Sequence, residues 1–246
     1  SKNIVIIPTY NEKDNVEQII KAIFALEESF HVLIIDDASP DGTADIVKRM
    51  QSLHPIKLHL LERAGKLGLG TAYITGFHWS IEKKYEFIFE MDADFSHNPK
   101  DLVNLLHAFD DATVDMAVGS RYIKGGKVEN WPLGRILLSY FASVYARMVT
   151  WMPIKDTTAG FVCYRRSVLE AIDLNKIQFV GYAFQIEMKF ATWQLGFNIK
   201  EVPITFVDRV FGVSKMNTDI FNEAFMGVLS LKWKSFFKSY GSKKLA

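Results

Sequence analysis

Short apolar runs alternate with longer segments of helical periodicity through the first half of the chain. Each apolar run has the length of a buried strand, and they cover residues 4–7, 32–35, 56–61, 87–89 and 116–119. Between the first two runs, apolar residues recur on one helical stripe at Val16, Ile19, Ile20, Ile23 and Phe24. Buried strands alternating with amphipathic helices predict an α/β fold with a doubly wound, mostly parallel sheet flanked by helices.

The second half of the chain has a different pattern. Residues 133–151 predict a helix that is apolar over much of its circumference, and residues 199–207 predict a late strand. The tail from 225 to 237 mixes aromatic residues with lysines. Helices at a membrane surface have this composition, but a core helix at 133–151 and a packed helix with a solvated cationic face at the C-terminus fit equally well.

Polar residues collect at the carboxyl ends of the predicted strands. In parallel sheets ligands bind outside these ends, so the side chains are expected to share one site. They are Tyr10, Glu12, Asp37, Asp92, Asp94 and Arg121. Asp37 would contact a nucleoside ribose or base, with Pro8 and Ile35 flanking the base; alternatively, Asp36 or Asp37 caps the next helix.

The sequence Asp92-Ala93-Asp94 directly follows the fourth strand. On an extended backbone the two carboxylates point to the same side, where their repulsion favours a bound cation. Hard oxygen ligands suit Mg²⁺ or Mn²⁺, and the Ser96 hydroxyl would add another oxygen. The alternative is a turn that leads into a helix cap before Pro99.

The composition of the chain argues against several classes of protein. The 246 residues are 49% hydrophobic, enough for one substantial core in a single domain of residues 1–246. A net charge of +1 argues against a nucleic-acid partner. Cys163 is the only cysteine, so a reducing compartment is expected. No apolar run approaches the length of a membrane span or a signal peptide.

Cations supply candidate phosphate ligands, although most exposed Arg and Lys side chains are simply solvated. Arg121, Arg135, Arg209 and Lys215 follow or flank predicted elements. Arg135 and Ser139 are four residues apart and share a helical face, where a guanidinium and a hydroxyl would grip a phosphate. The glycine-rich segment 65–70 has neither the dinucleotide-binding nor the P-loop spacing.

Four ordered motifs carry a family resemblance. They are Pro-Thr-Tyr-Asn-Glu at 8–12, Asp-Asp-Ala-Ser-Pro-Asp-Gly-Thr at 36–43, Lys-Leu-Gly-Leu-Gly-Thr-Ala-Tyr at 66–73 and Asp-Ala-Asp-Phe-Ser-His at 92–97. The segments 119–122, 134–135 and 214–216 follow in the same order. The chain resembles glycosyltransferase family 2, with its GT-A nucleotide-binding fold. Within that family it is similar to the polyprenyl-phosphate (dolichyl-phosphate) mannosyltransferases.

The resemblance implies a set of site residues. Asp92, Asp94 and Ser96 would surround Mg²⁺ or Mn²⁺ on the GDP diphosphate, and Asp94, Arg121 and Arg135 would be catalytic. The acceptor phosphate would be held by Arg121, Arg135, Ser139 and Arg209. The nucleotide sugar would be held by Pro8, Tyr10, Glu12, Ile35, Asp37, Lys66, Asp92, Ala93, Gln185, Arg209 and Lys215. Residues of about 210–246 would form an acceptor loop and C-terminal interfacial amphipathic helices.

The implied reaction moves mannose from GDP-mannose to a polyprenyl phosphate. The second pKa of that phosphate is about 6, so the acceptor is already an anionic nucleophile and no general base is needed. Direct displacement would invert the anomeric configuration. The expected setting is the cytoplasmic face of a membrane, with room for a membrane-anchoring partner subunit. Two alternatives stay open: a glucosyltransferase that uses UDP-glucose, and a non-catalytic nucleotide-sugar-binding subunit.

Overall fold

The computed structural model describes residues 1–181, 183–208, 218–237 and 239–242. The strands in chain order are β1 (Asn3–Thr9), β2 (Phe30–Asp36), β3 (Leu58–Glu62), β4 (Phe87–Glu90), β5 (Met116–Ser120), β6 (Lys127–Glu129), β7 (Val162–Arg165), β8 (Ile199–Pro203) and β9 (Thr205–Val207). The helices are α1 (Val16–Phe24), α2 (Thr43–Leu53), α3 (Leu69–Glu82), α4 (Asp101–His107), α5 (Leu133–Thr150), α6 (Arg166–Ala171), α7 (Ala183–Gln194) and α8 (Thr218–Ser235).

Seven strands form the central sheet in the order β3-β2-β1-β4-β7-β5-β8. All neighbouring pairs are parallel except those of β7, which runs antiparallel to both β4 and β5. The mostly parallel α/β sheet predicted from the sequence is therefore confirmed, whereas β7 was not predicted. The predicted strand 199–207 is wrong as a single strand. The chain changes partner at Ile204, because β8 pairs with β5 and β9 pairs with β6 in a separate two-stranded sheet.

Alternating strand residues fill the two faces of the sheet. Val5 and Ile7 belong to one core cluster, which includes apolar residues of α1, α2 and α4. Ile4 and Ile6 belong to the other, which includes residues of α3, α6 and α7. Each fully buried isoleucine stabilises the fold by about 1.5–3 kcal/mol relative to an exposed one. The result is a three-layer sandwich that holds the carboxyl ends of the strands rigidly.

Helices α5 and α8 pack against each other beside this sandwich. The rings of Tyr145 and Phe225 stack with centroids 4.4 Å apart, and the Tyr145 hydroxyl donates to the Phe225 carbonyl at 2.9 Å. Both helices contribute to a third core cluster, through Ala146 and Val228 among others. Both also leave large apolar side chains exposed on the outside. Among the residues described, no helix combines the length and the apolar content needed to cross a membrane.

Candidate functional site

Two cavities open at the carboxyl ends of the strands. The strand-end cavity, of about 270 Å³, lies over β1, β2 and β4 and the glycine-rich segment before α3. The helix-side cavity, of about 180 Å³, lies between the ends of β4 and β5, helices α5 and α7, and β9. Asp92 and Leu69 line both cavities. A molecule bound in one cavity would therefore lie next to a molecule bound in the other.

The strand-end cavity brings together eight residues named from the sequence. They come from the ends of β1 and β2, the glycine-rich segment and the segment after β4, and are Pro8, Tyr10, Glu12, Asp37, Lys66, Asp92, Ala93 and Asp94. The Lys66 ammonium lies 5.2 Å from the centroid of the Tyr10 ring. Ile35 is fully buried in the core beneath α3 and lines neither cavity.

The two acids after β2 have different surroundings. Asp36 is buried and accepts hydrogen bonds from the hydroxyls of Thr9 at 2.9 Å and Ser39 at 2.6 Å, so it fixes the turn. Asp37 lines the strand-end cavity, and its two carboxylate oxygens accept from Nε and Nη2 of Arg63 at 2.6 and 2.7 Å. Arg63 also donates to the Thr71 hydroxyl at 2.7 Å, which ties β2 to the start of α3.

The Asp92–Asp94 segment turns sharply after β4. Phe95 has φ of +59°, a left-handed conformation that a non-glycine residue adopts only where its surroundings enforce it. This turn lets the backbone N–H and the hydroxyl of Ser96 both donate to Oδ1 of Asp94. Asp92 and Asp94 then face the strand-end cavity, with Ser96 at the helix-side cavity.

This oxygen donor set fits a hard divalent cation. Two carboxylates and a hydroxyl converge where the cavities meet, and Mg²⁺ or Mn²⁺ needs few protein ligands when substrate phosphates complete its shell. The described residues contain no group of three or more His, Cys, Asp or Glu side chains that would form a protein-only metal site. A cation here would depend on the bound substrate for its remaining ligands.

Arg121, Arg135 and Ser139 all line the helix-side cavity. Arg121 is buried and fixed: its Nε and Nη2 donate to the two oxygens of Asp156, both at 2.7 Å, and Nη2 also donates to Thr158 at 2.8 Å. Burial opposes ionisation of Asp156, but the charge and hydrogen bonds of Arg121 outweigh it and hold the pKa of this carboxyl below its ordinary value.

Arg135 has looser contacts. Its Nη1 lies 3.1 Å from Oδ1 of Asp208, and both side chains are about one-quarter exposed. The guanidinium lies over the Trp131 ring at 4.0 Å from the centroid. A single partly exposed pair of this kind contributes little stability. The predicted Arg209 and Lys215 lie outside the described residues.

Helix α7 carries two polar residues that point in different directions. Gln185 is buried and lines the helix-side cavity. Glu187 is also buried, and its Oε2 accepts from the backbone N–H groups of Gln178 and Phe179 at 2.8 and 2.9 Å. Burial raises the pKa of Glu187. Glu187 lines neither cavity and holds the loop before α7 in place.

Several neighbours of the site were not predicted from the sequence. Arg63 and Asp156 are single charges in loops, and each meets its partner only through the fold, 26 and 35 residues away. Trp131 and Phe206 form an apolar wall beside Arg135 and Arg121. A weak signal existed for Asp156, because Asp156-Thr157-Thr158 forms a polar turn between apolar segments.

Comparison with known proteins identifies relatives over most of the chain. The family model described as Glycosyl transferase family 2 matches residues 4–173. A polyprenol monophosphomannose synthase from Mycolicibacterium smegmatis is 44% identical over 227 residues, covering 92% of this chain and 85% of that protein. An undecaprenyl-phosphate mannosyltransferase from Micrococcus luteus is 43% identical over 235 residues, covering 94% and 96%.

Solved structures share the fold at lower identity. The mannosyltransferase PcManGT from Pyrobaculum calidifontis, in complex with GDP-Man and Mn²⁺, matches with a TM-score of 0.63 and 21% identity. That match covers 98% of this chain, which spans 65% of the length of PcManGT. Glucosyl-3-phosphoglycerate synthase from Mycobacterium tuberculosis, in complex with Mn²⁺ and UDP, matches with a TM-score of 0.65 and 16% identity, covering 95% of this chain and 79% of that one.

Proposed function

Because the chain belongs to glycosyltransferase family 2, we propose that it transfers mannose from GDP-mannose to a polyprenyl phosphate, with inversion at the anomeric carbon. The names of the two bacterial relatives support a mannosyl donor and a polyprenyl phosphate acceptor. The archaeal structure with bound GDP-Man supports the nucleotide. The observation that carries the proposal is the meeting of two chemically different cavities at Asp92.

The donor nucleotide would occupy the strand-end cavity. Asp37, held by Arg63, presents a fixed carboxylate to the N–H groups of a base or the hydroxyls of a ribose. Pro8 and Tyr10 supply apolar and aromatic surface beside it, and Lys66 supplies positive charge for a phosphate. The diphosphate would then point towards Asp92 and Asp94, and the sugar would enter the helix-side cavity.

Asp92, Asp94 and Ser96 would hold the divalent cation that the chemistry requires. When bound, Mg²⁺ or Mn²⁺ neutralises the negative charge that develops on GDP as it leaves. Ser96 donates to Asp94 and thereby fixes the orientation of this carboxylate before any ligand arrives. Such preorganisation lowers the cost of reorienting charge during the reaction.

The acceptor phosphate would bind in the helix-side cavity. Arg121 is locked by Asp156, and the positive end of this ion pair lines the cavity in a fixed position. Arg135 and Ser139 lie on the cavity side of α5, and Arg135 can exchange its partly exposed contact with Asp208 for a phosphate oxygen. These groups reduce the repulsion between two anionic substrates, which is the main electrostatic barrier to this transfer.

The polyprenyl chain would leave the cavity along α5 towards a membrane surface. Leu138 and Ala142 line the cavity, whereas Leu137 and Phe141 on the same helix are exposed outside it. The lipid would thus pass from a polar phosphate site onto continuous apolar surface. On this basis we propose that the protein acts at the periphery of a membrane, on the cytoplasmic face, where nucleotide sugars are expected.

A transfer assay tests the proposed function. Purified protein is incubated with polyprenyl phosphate and radiolabelled GDP-mannose or UDP-glucose, with and without Mn²⁺, and organic-extractable label is counted. Label from GDP-mannose alone, dependent on metal and in β linkage, is expected.

Asp94→Asn should lower the rate at least about 100-fold, as for other lost electrostatic contacts to a transition state. Asp101→Asn, on α4 away from both cavities, is the matched control. Label from UDP-glucose, or α linkage, would contradict the proposal.

A further inference from the structure

A buried polar network lies behind the helix-side cavity and is not used by the proposed mechanism. Glu90, the last residue of β4, and Lys189 on α7 are both completely buried. Gln185 lies next to both of them and also lines the cavity. Its Nε2 donates to Oε2 of Glu90, and its Oε1 lies 3.4 Å from the ammonium of Lys189.

The two charged partners determine which way the Gln185 amide faces. Lys189 is a donor in this setting, because its ammonium is also bonded to the carbonyl oxygens of Ala159 at 2.6 Å and Gln185 at 3.2 Å. Its contact with the amide must therefore be to the oxygen, Oε1. The nitrogen, Nε2, then faces the Glu90 carboxylate. An amide flip would bring oxygen against oxygen and nitrogen against ammonium, so a single orientation is stable.

Gln185 keeps hydrogen-bonding capacity towards the cavity. An amide nitrogen carries two N–H groups and an amide oxygen carries two lone pairs, and the network uses one of each. Gly160 lines the cavity next to this amide, since a Cβ there would lie 4.0 Å from Nε2, in ordinary contact. The donor and the acceptor that remain on one amide group can together complement two neighbouring hydroxyl groups.

Stability alone does not account for this network. Burying a carboxylate and an ammonium costs several kcal/mol of desolvation per ion, and apolar replacements of buried ion pairs are often neutral or stabilising. Burial raises the pKa of Glu90 to about 7, although the hydrogen bond from Gln185 acts to lower it. Burial lowers the pKa of Lys189 to about 8, although the charge of Glu90 acts to raise it.

We propose that Glu90 and Lys189 are positioning residues that fix the Gln185 amide, so that Gln185 recognises two neighbouring hydroxyl groups of the transferred sugar. This inference rests on the proposed function, since the sugar of the donor must lie in the helix-side cavity. It adds a specificity-determining contact to the cavity that Arg121 and Arg135 also line. Neither positioning residue touches the substrate; both act through Gln185.

Binding measurements with and without the sugar separate positioning from stability. Isothermal titration with GDP and with GDP-mannose, both with Mn²⁺, gives two dissociation constants for each variant. The ratio used here is the dissociation constant for GDP divided by that for GDP-mannose, so it falls when the sugar contributes less to binding. Glu90→Met removes the acceptor that holds the amide nitrogen, and should lower the relative affinity for GDP-mannose about five- to tenfold compared with wild type, as expected for one or two neutral hydrogen bonds. The affinity for GDP should stay within about twofold, because no nucleotide contact changes.

Two further variants keep the test decisive. Glu90→Met combined with Lys189→Met removes both buried charges, so Tm should recover relative to Glu90→Met while the loss of relative GDP-mannose affinity persists. Thr192→Val removes a buried hydroxyl bonded to the Met188 carbonyl on the same helix, and it should lower Tm without changing the ratio. A ratio that follows Tm across these variants, or that stays at the wild-type value in Glu90→Met, would overturn the positioning role.

The transfer assay on wild-type protein separates a failure of the network's positioning role from a failure of the proposed function. Normal mannosyl transfer by wild-type protein with an unchanged ratio in Glu90→Met would reject the role of the network and leave the proposed function intact. Failure of wild-type protein to bind GDP-mannose or to transfer mannose would reject the proposed function itself. A lower ratio together with a raised KM for GDP-mannose, and a smaller change in kcat, would support both.

Discussion

Two arginine–carboxylate pairs organise the site at the level of single residues. Arg63 with Asp37, and Arg121 with Asp156, are both buried and both use Nε and Nη2 against two carboxylate oxygens. This planar geometry fixes a carboxylate more firmly than a lysine could. In the proposed function, the first pair would present an acceptor to the nucleotide, and the second would present its guanidinium to the acceptor phosphate.

Arg63→Lys tests the first of these pairs. Lysine keeps the charge but cannot reach Asp37, Thr71 and the Gly68 carbonyl together, so Asp37 loses its fixed orientation. We expect GDP to bind about tenfold more weakly by titration calorimetry, and the free energy of unfolding to fall by about 2–3 kcal/mol. Lys48→Met removes an exposed pair with Glu62 at the end of β3 and should change neither quantity appreciably. An unchanged GDP affinity in Arg63→Lys would limit Arg63 to a structural role.

At this scale the side chains that line the cavities were easier to predict from the sequence than their partners. Asp92, Asp94, Arg135 and Ser139 were expected together because strand ends and helical spacing have simple geometry. The partners Arg63, Asp156 and Glu90 were missed, because a single charge carries no spacing signal. Ile35 was expected beside the base, yet strand alternation points it into the core beneath α3.

At the level of elements, one loop connects three parts of the molecule. Residues 178–181 are held by Glu187, and Val180 accepts a hydrogen bond from the Gly70 N–H at 2.8 Å. The same loop meets α8, where Lys234 donates to the side chain of Gln178 at 2.6 Å. The glycine-rich segment that lines the strand-end cavity therefore rests on this loop, and it takes its position from close backbone packing.

Gly70→Ala tests this packing. An added Cβ would lie 2.7 Å from the Phe179 carbonyl oxygen and 2.8 Å from the Phe184 ring, so the loop or the helix must move. We expect a loss of about 1–3 kcal/mol in the free energy of unfolding, measured by urea denaturation, together with weaker GDP binding. Gly65→Ala in the same segment meets nothing within 4 Å and serves as the control. Equal behaviour of the two variants would show that the close approach is unimportant.

The elements themselves were largely predictable, and the exceptions have clear causes. Long periodic or strongly apolar segments gave β1, β2, β5 and α5 nearly at their observed bounds. Strand β7 was missed because its four residues, Val-Cys-Tyr-Arg, are too short to show a period. The break between β8 and β9 was missed because apolar residues continue across Ile204, whereas the pairing partner changes there.

At the level of the whole molecule, most of the large apolar side chains that are exposed belong to α5 and α8 or directly follow these helices. Helix α5 exposes Leu133, Leu137 and Phe141, and α8 exposes Trp233 at 69% of its surface. Lys232 lies on the same side, with its ammonium 3.9 Å from the centroid of the Trp151 ring. Aromatic and cationic residues together are typical of helices that lie in the headgroup region of a bilayer. Because α5 also lines the helix-side cavity, this face would place the acceptor phosphate next to its site.

Vesicle flotation tests whether this face meets lipid. The double substitution Trp233→Ser with Phe236→Ser removes exposed apolar surface from the end of α8, and should lower binding to vesicles containing anionic lipid at least about tenfold, since each large side chain contributes about 1.5–3 kcal/mol when buried.

Leu53→Ser with Ile56→Ser is the matched control, because these side chains are equally apolar and 76% exposed but lie at the amino end of β3, on the opposite edge of the sheet. The control should bind as wild type does. GDP binding should be unchanged in both double variants, since neither pair lines a cavity. Equal loss of vesicle binding in both would indicate nonspecific adsorption, and no loss in either would remove α8 from the membrane contact.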